Sequence, residues 1–262
     1  MGLGIEWTKT ALSALVIGVA TIVHGIAGFG LAQVAMGLMP LFRSPESASV
    51  IFSMVAVISN LRVWWSVRED FDWKAWIIPV AGLAVGMPLG IYVFSALDEQ
   101  ALRVAIGITL LIAVALIAAV RQSSVVKDWL AAREFEPDWK IGVVAGFLAG
   151  ALGGAVAIPG PPMILYGAFM VAADYWESKK MKAIFTAFFG TLMLYRVGSL
   201  AVTGAVTPSL LVEAAAAVPA LFLGAWLGIK IYDAIPERIF SWVVLAMLSI
   251  NAVILLTSAL GG

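Results

Sequence analysis

Cysteine is absent from the 262 residues, histidine occurs once, and only 12% of positions carry charge against 62% that are hydrophobic. Without cysteine there is no disulfide, no thiolate nucleophile and no cysteine-held metal. The single histidine, His24, is too little for a histidine-built metal centre. Carboxylates, histidines and cysteines clustered at depth are what a membrane enzyme needs, so the chain does not read as an enzyme and calls for no cofactor. No Walker pattern appears, which leaves no phosphate loop for ATP. Sixteen Lys and Arg balance sixteen Asp and Glu, and the basic residues fall between apolar runs, which is not the charge pattern of a nucleic-acid binder.

What the chain does have is apolar length. Mean hydropathy is +1.02, and apolar segments fall at 11–27, 30–42, 47–65, 76–94, 101–120, 141–157, 161–173, 183–203, 209–229 and 238–259. With about 20 residues needed per crossing, the reading is an all-α polytopic membrane protein whose solvent partner is the lipid bilayer. The run after Lys9 lacks a small-residue cleavage pattern and reads as a retained first segment, not a signal peptide.

Two stretches, 11–42 and 141–173, exceed the roughly 17 to 25 residues of one span. Glycine and proline break each near its middle: His24-Gly25-Ile26-Ala27-Gly28-Phe29-Gly30 in one, Gly146 through Pro162 in the other. If each stretch is a single crossing, Lys and Arg divide seven against seven between the two sides. If each goes in and comes back, the division is eleven against three, with Lys9, Arg43 and Arg103 the minority and Arg62 and Arg196 left out as intramembrane. Cytoplasmic loops carry the basic excess, so the second layout is favoured, with a cytoplasmic central linker and both termini outside.

Repetition agrees. Gly86 to Glu99 aligns without gaps on Gly224 to Glu237, setting Gly86 and Gly90 against Gly224 and Gly228. Gly25 and Gly28 match Gly150 and Gly153, and Arg62-Val63 matches Arg196-Val197. The expected organisation is a membrane repeat over 1–122, a cytoplasmic linker with an interfacial helix over 123–139, and a second repeat over 140–262. Each repeat is a broken helical hairpin plus three transmembrane helices, and an odd number of passes per half makes the two copies inverted.

The glycine-rich opening of each half, the proline-bearing second arm and the G-x-x-x-G segments ending in Ala-Leu-Asp-Glu and Ala-Ile-Pro-Glu are similar to those of the sulfite exporter (TauE/SafE) family. The resemblance covers essentially the whole chain. It implies a multi-pass permease of the bacterial or archaeal inner membrane that exports a small sulfur-containing anion such as sulfite, taurine or sulfoacetate, with a homodimer as a candidate assembly. Where that family carries three glycines in a row in each half, this chain reads Gly28-Phe29-Gly30 and Gly153-Gly154-Ala155, which makes Phe29 a candidate gate or size filter.

An anion is also what the residues suit. A half-helix beginning near Gly30 or Pro161 points free N–H groups and a positive dipole end at the membrane midplane, and Gly160 permits the backbone that precedes it. The proposed cradle is Gly28, Phe29, Gly30 and Gln33 from one break and Gly153, Gly154, Gly160 and Pro161 from the other; tight helix packing is the alternative use of such glycines. Arg196 lies deep in its span, where its guanidinium fork matches sulfonate oxygens with Tyr195 and Thr191 beside it; pairing with backbone carbonyls is its alternative. Arg62, followed by Trp64 and Trp65, reads as an interfacial snorkelling residue or a ligand, and Asn60 as a helix contact or a ligand. His24 is either a packed, hydrogen-bonded histidine or a proton relay. Glu213 reads as solvated near a span end, and Asn251 as helix–helix glue. With no mid-span carboxylate, export is expected to draw on the membrane potential or on a proton gradient carried by His24 or water. A gated anion channel is the alternative to alternating access.

Overall fold

The computed structural model describes residues 6–27, 30–122, 138–232 and 237–260. Ten helices follow in order among them: α1 (Trp7–Ala27), α2 (Leu31–Leu38), α3 (Pro45–Val67), α4 (Trp73–Ala96), α5 (Glu99–Gln122), α6 (Trp139–Val156), α7 (Gly160–Ala172), α8 (Ser178–Val202), α9 (Pro208–Tyr232) and α10 (Glu237–Leu260). Among the described residues seven are long and apolar enough to cross a membrane, namely α1, α3, α4, α5, α6, α8 and α9. The helices begin a few residues before the apolar segments because polar caps start them. Ser44 accepts from the Ser47 N–H ahead of Pro45, Asp72 accepts from Lys74 and Ala75, and Asp138 accepts from Lys140. The linker expected over 123–139, with its interfacial helix, lies outside the described residues up to residue 137.

Both long stretches are broken where glycine and proline predict. Gly30 takes φ 97° and α2 starts after it. In the second half α6 stops at Ala157, φ 59°, and α7 starts at Gly160 with Pro161 and Pro162 in its first turn. Both stretches then fold back. The Arg43 guanidinium, beyond α2, donates to Ser13 Oγ near the start of α1 at 3.1 Å. The Tyr166 hydroxyl on α7 packs against Gly142, near the start of α6. A continuing helix would separate residues 142 and 166 by about 36 Å.

Glycine sets the closest helix contacts. A methyl on Gly82 would meet the carbonyl oxygen of Val143, one on Gly86 that of Phe147, and one on Gly146 that of Pro79, so α4 and α6 touch backbone to backbone. Gly18 and Gly25 of α1 do the same against Gly224 and Gly228 of α9. Lipid tails are as apolar as leucine, so association here comes from van der Waals contact along such small-residue stripes. The partners exchange between halves: α1 packs on α9 as α6 packs on α4, while α3 pairs with α8 and α5 with α10. The α3–α8 pair is antiparallel, since Ser49 and Ser53 meet Arg196 while Asn60 meets Gly190.

Candidate functional site

Four helices, α1, α3, α8 and α9, enclose a cavity of about 350 Å³. Its charges are cationic: α3 contributes Arg62 and α8 contributes Lys182, with His24 of α1 and the hydroxyls of Thr21, Ser59 and Ser66 between them and no Asp or Glu among the described residues of the lining. His24 is 3% exposed, and neither ring nitrogen has a hydrogen-bond partner in the protein. The hydrogen-bonded histidine that the sequence allows is therefore not found among the described residues: the hydroxyls of Thr21 and Ser66 are turned to backbone carbonyls of their own helices. The Arg62 guanidinium lies over the Phe222 ring, 5.6 Å from its centroid, facing α9 with its charge unmatched by any carboxylate among the described residues. Trp65, on the rim, is 62% exposed, as an interfacial aromatic is.

Lys182 is a site residue that sequence alone does not single out, since it stands with Lys179 and Lys180 as a charge marking one side of the membrane. A signal is nonetheless present. Lys182 and Arg196 stand fourteen residues apart on α8, about four helical turns, so both point to the face that meets α3.

The second break is held by Arg196. Completely buried, it donates from Nε to the Gly154 carbonyl at 3.2 Å and from Nη1 to the Ser49 carbonyl at 3.3 Å and to Ser53 Oγ at 2.6 Å. Its guanidinium also stacks on Phe94, 4.9 Å from the ring centroid, and Nη2 alone lacks a partner in the protein. The carbonyl-pairing alternative therefore describes most of its donors. Tyr195 and Thr191 do not join it: Tyr195 is 40% exposed, and Thr191 Oγ1 donates to its own helix at Ala187. Adjacent residues on a helix diverge by about 100°, so Tyr195 cannot share the face of Arg196.

The two breaks meet at Gln33, which is 2% exposed and whose amide packs against Gly160 closely enough that an added methyl there would force it to shift. Pro161 is buried beside it. Gly30 is buried against Val23, Gly153 against Leu192 and Pro159, and Gly154 against Gly90. Asn60 donates to the Ala56 carbonyl at 2.8 Å within α3 and leaves its Oδ1 without a partner. Gly28 and Phe29 lie outside the described residues. Thus His24 and Arg62 come together in the cavity with Lys182, Gln33 and Gly160 come together at the crossing of the breaks, and Arg196 stands behind Gly154.

A second cavity, about 540 Å³, opens at the other ends of the same four helices. It is lined by Glu46 and Val50 of α3 and Thr203 just past α8, with Glu213 of α9 and Arg43. The cavities touch α3 at Val50 and at Ser59, about 14 Å apart along the helix. Arg196 contacts α3 at Ser49 and Ser53, next to the second cavity, and the Phe94 on which it stacks lines that cavity. Glu213, expected to be solvated, is instead 6% exposed and paired with Arg43 at 2.7 Å, with Thr10 Oγ1 donating to the same carboxylate oxygen at 3.1 Å. The α1–α2 hairpin delivers Arg43 to it, a contact across the fold that local sequence cannot reveal. Asn251 is buried against Gly37 between α10 and α2.

Residues 13–255 match the family model described as sulfite exporter TauE/SafE. No curated protein and no solved structure matches the chain.

Proposed function

Since the chain belongs to the sulfite exporter TauE/SafE family, a family of membrane anion exporters, we propose that it exports a small sulfur-containing anion bound in the His24–Arg62–Lys182 cavity. The observation that carries this reading is the cavity itself: two cationic side chains and a partnerless buried histidine face 350 Å³ with no carboxylate among the described residues of the wall. Arg62 and Lys182 lie near the ends of their helices and carry no partner carboxylate among the described residues, so the cavity between them attracts an anion. The guanidinium of Arg62 receives sulfonate or sulfite oxygens through its fork, and Lys182 adds a compact charge.

Transport is by alternating access between two inverted repeats. Exchange of packing partners between halves and the antiparallel crossing of α3 and α8 support this symmetry. The cationic cavity opens to the cytoplasm and the Arg43–Glu213 cavity to the outside, in keeping with the positive-inside distribution. The two cavities are separated by a packed layer containing Arg196, as a carrier closed to one side at a time requires. An interior-negative potential drives anion exit with about 2.3 kcal/mol per charge per 100 mV, so the potential suffices as the energy source.

Efflux of labelled sulfite or sulfoacetate from proteoliposomes tests the proposal. Saturable efflux, accelerated by an interior-negative potential, is expected. Efflux no faster than from empty liposomes contradicts it, and non-saturating flux with single-channel currents favours the channel.

A further inference from the structure

We infer that the His24–Arg62–Lys182 cavity selects anions whose charged groups are all negative and rejects zwitterions, with Lys182 setting the choice. The inference rests on reading that cavity as the anion site. Three helices supply its charges and polar groups, and α9 closes it with Ala225, while the Phe222 ring lies under Arg62. Among the described residues the lining contains Arg62 and Lys182 but no acidic residue, so no described side chain in the wall matches the positive end of a zwitterion. The hydroxyls of Thr21 and Ser66 donate to the backbone carbonyls of Ile17 and Val63 within their own helices, leaving only neutral lone pairs facing inward. A neutral lone pair does not offset like charge from two cations.

The two cations differ in what they hold. Arg62 is steered by the aromatic face beneath it and presents a planar fork, which suits the three oxygens of a sulfonate or sulfite. Lys182 is a flexible point charge on the opposing helix α8, placed to take a second negative group such as the carboxylate of sulfoacetate. In taurine an ammonium stands where that carboxylate would be, two carbons from the sulfur, and meets Lys182 as a like charge. Discrimination thus comes from a repulsive element as much as from an attractive one.

Competition against labelled sulfoacetate uptake into proteoliposomes tests this. In the wild type, taurine is expected to compete about tenfold or more weakly than unlabelled sulfoacetate. Lys182→Glu supplies the missing carboxylate and is expected to reverse the order, with taurine the better competitor. Lys182→Gln, which carries no new charge, is expected to lose most of the preference without reversing it, and it decides the matter alone if Lys182→Glu does not purify as a folded protein. Equal competition by taurine in the wild type overturns the selectivity and leaves the anion site standing. A preference unchanged in Lys182→Gln overturns the role of Lys182. No uptake of either compound by the wild type overturns both the selectivity and the site.

Discussion

Arg43 and Glu213 are 170 residues apart in sequence and meet in a buried ion pair at 2.7 Å. Arg43 follows the returning arm of the first hairpin, and Glu213 sits on α9 of the second half, so the pair bridges the halves in the wall of the larger cavity. Ser13 of α1 accepts from Arg43 and Thr10 donates to Glu213, while Arg43 Nε has no partner among the described residues. Removing one partner leaves the other charge buried and unpaired beside the cavity, which costs up to about 3 to 5 kcal/mol. Glu213→Gln or Arg43→Met is therefore expected to lower the thermal unfolding temperature in detergent sharply, and the double substitution Arg43→Met with Glu213→Met to recover much of the loss. A double variant as unstable as the sum of the singles contradicts this reading.

Arg196 joins α8 to α3 and to the end of α6 through three acceptors. A lysine keeps the charge but not the fork. Arg196→Lys is expected to cost about 2 kcal/mol of stability, from the lost charge-assisted hydrogen bonds, while sulfoacetate affinity in the protein that remains folded changes less than twofold. Equilibrium binding alongside thermal unfolding separates the two effects.

The glycine stripes make opposite predictions at different positions. A methyl on Gly146 runs into the Pro79 carbonyl, so Gly146→Ala is expected to abolish accumulation of folded protein. At Gly198, also helical, an added methyl would meet nothing within 4 Å, and Gly198→Ala is expected to stabilise by up to about 1 kcal/mol through helix propensity. Fluorescence-detected size exclusion after heating reads both.

The turn between α3 and α4 carries the pH-sensitive contact. A hydrogen bond from Lys180, 2.8 Å from the carboxylate, and the capping N–H groups of Ala75 and Lys74 hold the Asp72 carboxyl below its ordinary range. A carboxyl depressed on folding contributes stability above its unfolded pKa of about 3.9, and loses it as pH falls through the lower folded value. Asp72→Asn keeps the cap and removes the ion pair, which is partly exposed and worth about 0.5 kcal/mol. The variant is expected to unfold with a shallower dependence on pH below about 4, and to match the wild type in shape above about 5.

The hydrophobic pattern and the two breaks are legible in the sequence because each is a property of neighbouring residues: apolar length, and glycine and proline at fixed places. The hairpins are legible from charge sidedness. Contacts that depend on how distant helices cross are not. Arg196 reads as an unpaired guanidinium until Ser49 and Ser53 of α3 are set against it. Glu213 reads as solvated until the hairpin returns Arg43 to its side. Lys182 reads as a loop charge until α8 is turned so that it faces His24 and Arg62.

Arg62 and its neighbours in the 350 Å³ cavity are the proposed seat of the anion. The dissociation constant of labelled sulfoacetate for purified Arg62→Gln, set beside the wild type, tests it most directly. Loss of one charge-assisted fork contact is expected to weaken binding about tenfold or more, with the unfolding temperature unchanged. Equal affinity in the two proteins contradicts the claim.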